Sequence, residues 1–475
     1  MDWLFSTDFD LAREILQRGV AVIYLVAFVA AWRQFPALLG ERGLLPVPRF
    51  VERAGSRAGP SLFRWRYSDR LLRAVCALGV LAAAAVIVGV VQMGPWWVPL
   101  AVFAVMYLLY LSIANVGQIF YGFGWESLLL EAGFLAAFLG SDQTGTPVVT
   151  IVAIKWLVFR VEFGAGLIKI RGDEVWRNLT ALNYHHQTQP MPGPLSWFFH
   201  HLPGPLHKVE VAANHAVQLG VPFLLFAPQP VATWAAVAVV VTQLWLVASG
   251  NFAWLNWLTM ILACAAVSDH VLTGAAQGAA GADASAPVGL AVASVALGVF
   301  VLVLSRKPLL NFFRSRPLMN ASYNRWHLVG SYGAFGSITR SRQEVVIEGT
   351  RDEDPSRARW YAYEIPGKPG DVRAWPRQVA PYHLRLGWGM WFLGLGSRMQ
   401  LAWFRPLLDR LLEADPATLR LFSHDPFDGD RPAWVRARVY DYRYSTWREL
   451  RTQRVWWVRE LAGTLVDPVP GSLAR

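Results

Sequence analysis

The chain has 475 residues, 54% of them hydrophobic and only 16% charged, and its net charge of +11 is carried almost wholly by arginine. This balance points to a polytopic membrane protein with a soluble appendage. With no nucleic-acid-binding motif present, the basic excess is read as loops facing anionic lipid, which excludes a nucleic-acid partner.

Asp2, Asp8 and Asp10 precede the first apolar run, where a secretory signal peptide would carry positive charge, so that run reads as a retained helix. Runs of spanning length, about 17–25 residues, occur near 15–35, 72–93, 96–117, 126–141, 147–168, 209–227, 229–248, 252–270 and 287–305. They predict a polytopic α-helical membrane bundle of about nine spans over residues 1–317. Cys76 and Cys264 lie far apart in two of these runs, which excludes a disulfide framework or zinc knuckle and argues against thiol–disulfide chemistry.

The helix over 147–168 carries Lys155, Arg160 and Glu162 and ends at Lys169. A charge inside a membrane helix costs about 2.5–3.5 kcal/mol on insertion scales and marks a working interior. Lys155, Glu162 and Lys169 recur every seven residues, so they share one helix face at about 10.5 Å from one to the next and must seek partners on other helices. Arg160 points the opposite way, within reach of Glu126 or Glu131. The plain reading of this polar interior is a set of interhelical salt bridges that lock the bundle.

The loop that follows is crowded with Trp, Asn, Pro and the imidazoles His185, His186, His200 and His201, with His207 just beyond. Imidazole suits zinc, iron and copper. No HExxH, no His-x-His with a carboxylate and no Cys ligand accompanies these residues, so packing and hydrogen bonding are expected, and neither a metal nor another cofactor is predicted. The helix opening at Leu206 sets His207, Glu210, Asn214 and Gln218 at 3, 4, 4 spacing, one polar stripe that serves as interhelical glue or lines a polar cavity. Pro222 kinks or ends that polar half.

The string LTGAAQGAAGADASAPVG reads as a flexible linker. After Lys307 the apolar runs stop. EVVIEGT, RWYAYEIPG, YHLRLGW and WVRARVYDYRYST read as strands between Gly, Pro and Asp turns, and residues 400–414 as an amphipathic helix. Residues 318–475 are therefore expected to form one soluble β-rich (α+β) domain, docked on the membrane face that bears loop 169–208. The segments 33–73, 169–208 and the stretch after 305 hold most of the flanking cations, nine arginines in the first alone, so the positive-inside rule assigns them to the cytoplasm.

Six ordered strings carry a family resemblance: YGFGWESLLLEAGFL (121–135), residues 159–203, SGNFAWLNWLTMIL (249–262), residues 324–349, LFSHDPF (421–427) and the late WVRARVYDYRYST. Together they resemble the lipase maturation factor family over most of the chain from about residue 110 to 460. The resemblance implies a multipass membrane protein that helps a client lipase or other secreted protein fold and assemble, with the lipid bilayer as its other partner. It carries over no catalytic residue. The vertebrate relatives sit in the endoplasmic reticulum membrane with their working loops in the lumen, opposite to the cytoplasmic side that the cation count assigns. The Ala-, Gly- and Arg-rich usage predicts a bacterial cell membrane for this chain.

A weaker, partial similarity links FGAGLIKIRGDEVW (163–176) to vitamin K-dependent gamma-carboxylases, on whose catalytic base Lys169 falls. Those enzymes have two adjacent lysines, whereas Ile168 precedes Lys169 here. Two readings compete: a non-enzymatic maturation factor, and a membrane-embedded enzyme in which Lys169, desolvated beside Glu210, Asn214 and the histidines, acts as a base on a lipid or peptide. A transporter ranks last, since no inverted repeat is present.

Overall fold

The computed structural model describes residues 2–274 and 287–471, so most of the predicted Gly/Ala linker lies outside the described residues. In chain order its membrane-region helices are α1 (Asp10–Leu39), α2 (Asp69–Ile87), α3 (Trp97–Val116), α4 (Gly124–Ala136), α5 (Val148–Arg171), α6 (Gly204–Leu219), α7 (Val231–Ser249), α8 (Leu255–Ala263) and α9 (Val288–Leu304). Local chemistry sets several of these starts. The Ser68 hydroxyl accepts the Leu71 N–H at the head of α2, with Asp69 favourably placed in its positive first turn. Pro147 ends a two-stranded antiparallel pairing of Thr146–Pro147 with Phe5–Ser6, and α5 begins at the next residue.

By length and composition α1, α2, α3, α7 and the stretch Val288–Phe312 can cross a membrane. Their outer faces expose Leu78, Leu81, Trp234, Val241, Leu302 and Val303, as lipid contact requires. The expectation of about nine full spans is not confirmed. The 126–141 run yields only the 13-residue α4, and the 252–270 run yields the nine-residue α8 plus a single turn at Cys264–Ala266. The 209–227 run breaks at Gly220, ahead of Pro222, into α6 and Val221–Leu224. α5 has the length but carries five charged residues, Lys155, Arg160, Glu162, Lys169 and Arg171. Around the central α1, Tyr24 and Phe28 pack edge-on against Tyr110 of α3.

The C-terminal region holds a four-stranded antiparallel sheet. Its strands are β1 (Arg342–Thr350), β2 (Tyr361–Ala362), β3 (Trp434–Tyr444) and β4 (Trp457–Pro470), in the order β2-β1-β3-β4. Two further helices are α10 (Arg385–Gly394) and α11 (Leu401–Leu412). α11 matches the predicted amphipathic helix and buries Leu407, Leu408 and Leu411 near the inner face of β3, where Val435 and Ala437 are also buried. YHLRLGW, expected as a strand, instead feeds α10. Its apolar residues continue through Trp388, Met390 and Leu393 at helical spacing, and Gly394 comes so close to β1 that an added Cβ would lie 2.4 Å from the Gln343 carbonyl oxygen.

The sheet and loop 169–208 lie against each other. Trp197 donates its indole N–H to the Ser445 carbonyl at 2.9 Å, and Arg342 donates to the Gln187 carbonyl at 2.9 Å and to the Gln189 carbonyl at 2.5 Å. Residues 330–332 run along α5, where a Cβ on Gly164 would come within 2.3 Å of the Tyr332 carbonyl oxygen, so glycine is what permits the approach.

Candidate functional site

The polar interior expected from sequence is inward: Glu126, Glu131, Lys155, Arg160 and Glu162 are all buried. It divides into separate networks, and only some of the expected partners meet. Arg160 of α5 pairs with Glu131 of α4, not with Glu126, as a bidentate contact whose longer arm is 3.2 Å. Glu131 also accepts the Gly330 N–H at 3.2 Å and the Tyr332 hydroxyl at 2.7 Å, and Arg160 donates to the Gly330 carbonyl at 2.8 Å. This network ties the C-terminal region to the bundle. Lys155 stands apart, its ammonium 5.4 Å from the Phe9 ring centre.

Glu126 meets groups that periodicity did not suggest. It accepts from Arg385 at 2.7 Å and from the Tyr110 hydroxyl, and His383 lies 3.3 Å away. Gln34 of α1 closes the cage: its amide donates to the His383 carbonyl at 2.7 Å and its oxygen accepts the Arg385 N–H at 2.9 Å. The Arg385 guanidinium lies 3.4 Å from the Tyr121 ring centre. A glutamine near the end of an apolar helix and an arginine amid LRLGWGMWF were the available signals.

Burial, reinforced by the Arg385 cation, holds the His383 imidazole at about 4, below its ordinary 6.5. The unfolded chain therefore takes up this proton first as pH falls. The stability linked to His383 is complete above pH 6.5 and is lost toward pH 4 at up to about 1.4 kcal/mol per pH unit. Thermal unfolding in detergent should show a decline between pH 6.5 and pH 5 that His383→Gln flattens; an equal slope in both proteins would refute the assignment.

Lys169 ends α5 buried. It donates to the Asn214 side chain at 2.8 Å and to the Gln218 side chain at 2.9 Å, with the Trp176 ring centre 4.8 Å away. Glu162, one face-repeat earlier, accepts from Gln243 at 2.6 Å, and Gln243 in turn accepts from Asn256 at 2.6 Å. These groups form the polar end of a cavity of about 450 Å³ whose remaining wall is mostly apolar, including Val161, Leu206, Val241 and Leu255. Its chemistry suits an amphipathic occupant: it offers a cation, two carboxylates and amides beside a wall that is mostly hydrocarbon.

The five histidines do not act as one cluster. His185 stacks on Phe252 and meets Phe335 edge-on, and burial, with the Lys169 charge, drives it down to about 3. His201 lies on Trp197 and reaches its carbonyl oxygen at 2.8 Å. His200 faces Tyr444 of β3, and burial lowers it to about 4. His186 and His207 are neighbours, ring centres 5.7 Å apart, and His207 comes within 3.9 Å of Glu210. Along the predicted stripe Asn214 and Gln218 serve Lys169, Glu210 lines the same cavity and comes within 3.9 Å of His207, and His207 faces the histidine loop.

Against known proteins, residues 11–274 match the model of the lipase maturation factor transmembrane domain, and residues 328–467 match that of the lipase maturation factor C-terminal domain. Lipase maturation factor 1 of Bos taurus is 36% identical over 507 residues, covering 97% of this chain and 89% of that protein. The Homo sapiens protein of the same name is 36% identical over 512 residues, covering 98% and 89%. Lipase maturation factor 2 of Homo sapiens is 27% identical over 583 residues, covering 95% and 81%. No solved structure matches.

Proposed function

The chain belongs to the lipase maturation factor family, and from that premise we propose that it is an integral membrane factor that assists the folding or assembly of an exported lipase. What carries the reading is likeness at 36% identity to Lipase maturation factor 1 across 97% of the chain, spanning both bundle and sheet region. The ties between the two regions, Glu126 with Arg385 and Glu131 with residues 330–332, suit a factor that presents one rigid face to a client. That face lies on the exported side of the membrane, where a lipase folds, and folded Arg-rich domains translocate largely regardless of charge. The test is co-expression with an exported lipase in cells lacking their own maturation factor. Lipase activity per lipase molecule should rise severalfold; unchanged activity at normal levels of both proteins would overturn the reading.

Lys169 is then a positioning group for the interior, not a base. Nothing in the comparisons favours the carboxylase-type alternative. Lys169→Met removes the cation closest in effect to Glu162 and leaves Asn214 and Gln218 without their donor. We expect it to lower stability by about 1–3 kcal/mol and to leave maturation per surviving molecule unchanged. Collapse of maturation at wild-type abundance would instead make Lys169 a working group.

A further inference from the structure

We propose that His186, His207 and Glu210 form a metal site of the zinc class. One side-chain donor atom from each lies within 4.8 Å of the others, a spacing that a single ion can bridge. His186 comes from the short helix Leu182–Thr188, and His207 and Glu210 come from successive turns of α6.

Their hydrogen bonding points to a ligand. Buried imidazole nitrogens are ordinarily satisfied, yet both ring nitrogens of His186, at 1% exposure, lack a partner among the described residues. The same holds for Nδ1 of His207 and for one carboxylate oxygen of Glu210. The unpartnered atoms are the ones that face one another, while the opposite edge of each α6 residue is anchored. His207 Nε2 lies 3.4 Å from the His200 carbonyl oxygen, and the other Glu210 oxygen accepts the Trp245 indole N–H at 2.6 Å. A ligating histidine that donates its second N–H to a backbone carbonyl, beside a hydrogen-bonded carboxylate, is the outer-shell arrangement that orients metal ligands. Two imidazoles and one carboxylate select zinc or a neighbouring first-row ion over magnesium or calcium, and three protein ligands leave a position open for water or a further donor.

The proposal is independent of the lipase reading, because its readout is metal content. The full chain, purified in mild detergent without a polyhistidine tag, should hold close to one zinc per molecule by mass spectrometry. After chelator stripping it should take up cobalt(II) with the intense visible bands of a four- or five-coordinate ion. His207→Ala and Glu210→Gln should each weaken cobalt binding at least tenfold, while the exposed His424→Ala should not. Wild-type protein showing only the weak spectrum of hydrated cobalt would overturn the proposal. So would well-folded His207→Ala and Glu210→Gln proteins that bind as tightly as wild type. Should the variants fail to fold, the wild-type spectrum alone decides.

Discussion

Arg385→Met is expected to remove most of the protein from the membrane. Glu126 is buried at 1% exposure, and Arg385 is its main counter-charge. Taking away one partner strands a carboxylate in a low-dielectric interior, at a cost of about 3–5 kcal/mol, against a total stability of about 5–15 kcal/mol. The Glu126→Gln, Arg385→Met double variant removes the stranded charge and should recover a large part of the loss. Abundance and unfolding temperature in detergent measure both. An Arg385→Met protein as stable as wild type would show that the pair does not hold the C-terminal region in place.

Glu131→Leu should be comparably damaging, with a local signature. Glu131 accepts from Arg160, from the Gly330 N–H and from the Tyr332 hydroxyl, so its loss strands the Arg160 cation and frees two groups of the segment beside α5. A fall of about 3–5 kcal/mol is expected, together with faster proteolytic cleavage within residues 320–340 than elsewhere. Unchanged cleavage there would mean that other contacts hold the segment.

Much of this interior was legible in the sequence because charge inside an apolar helix has few places to go. A partner for Arg160 in Glu126 or Glu131, and Lys169 beside Asn214, follow from that cost and from helical spacing, whereas the choice of Glu131 and the contact with Gln218 come from the fold. What was not legible depended on distance along the chain. Arg385 lies 259 residues from Glu126, and no local period relates them. The stripe on α6 lines the cavity through Glu210, Asn214 and Gln218 but does not meet one set of partners. His207 and Gln218 share a face but are eleven residues apart, about 16.5 Å along the axis, so its two ends meet different neighbours. His186 likewise joins the His207–Glu210 turn through tertiary structure, not through a sequence motif. The strand assignment at YHLRLGW failed because a short apolar alternation continues there into a helical pattern that Gly394 lets pack tightly on β1.

Reconstitution bears most directly on the central claim of lipase maturation. The purified full chain in lipid nanodiscs is mixed with an unfolded exported lipase, and recovery of lipase activity is followed over time. The account predicts recovery severalfold above that with empty nanodiscs, reduced in proportion to folded protein in Arg385→Met preparations. Equal recovery with and without the chain, with the lipase otherwise competent to refold, would contradict it.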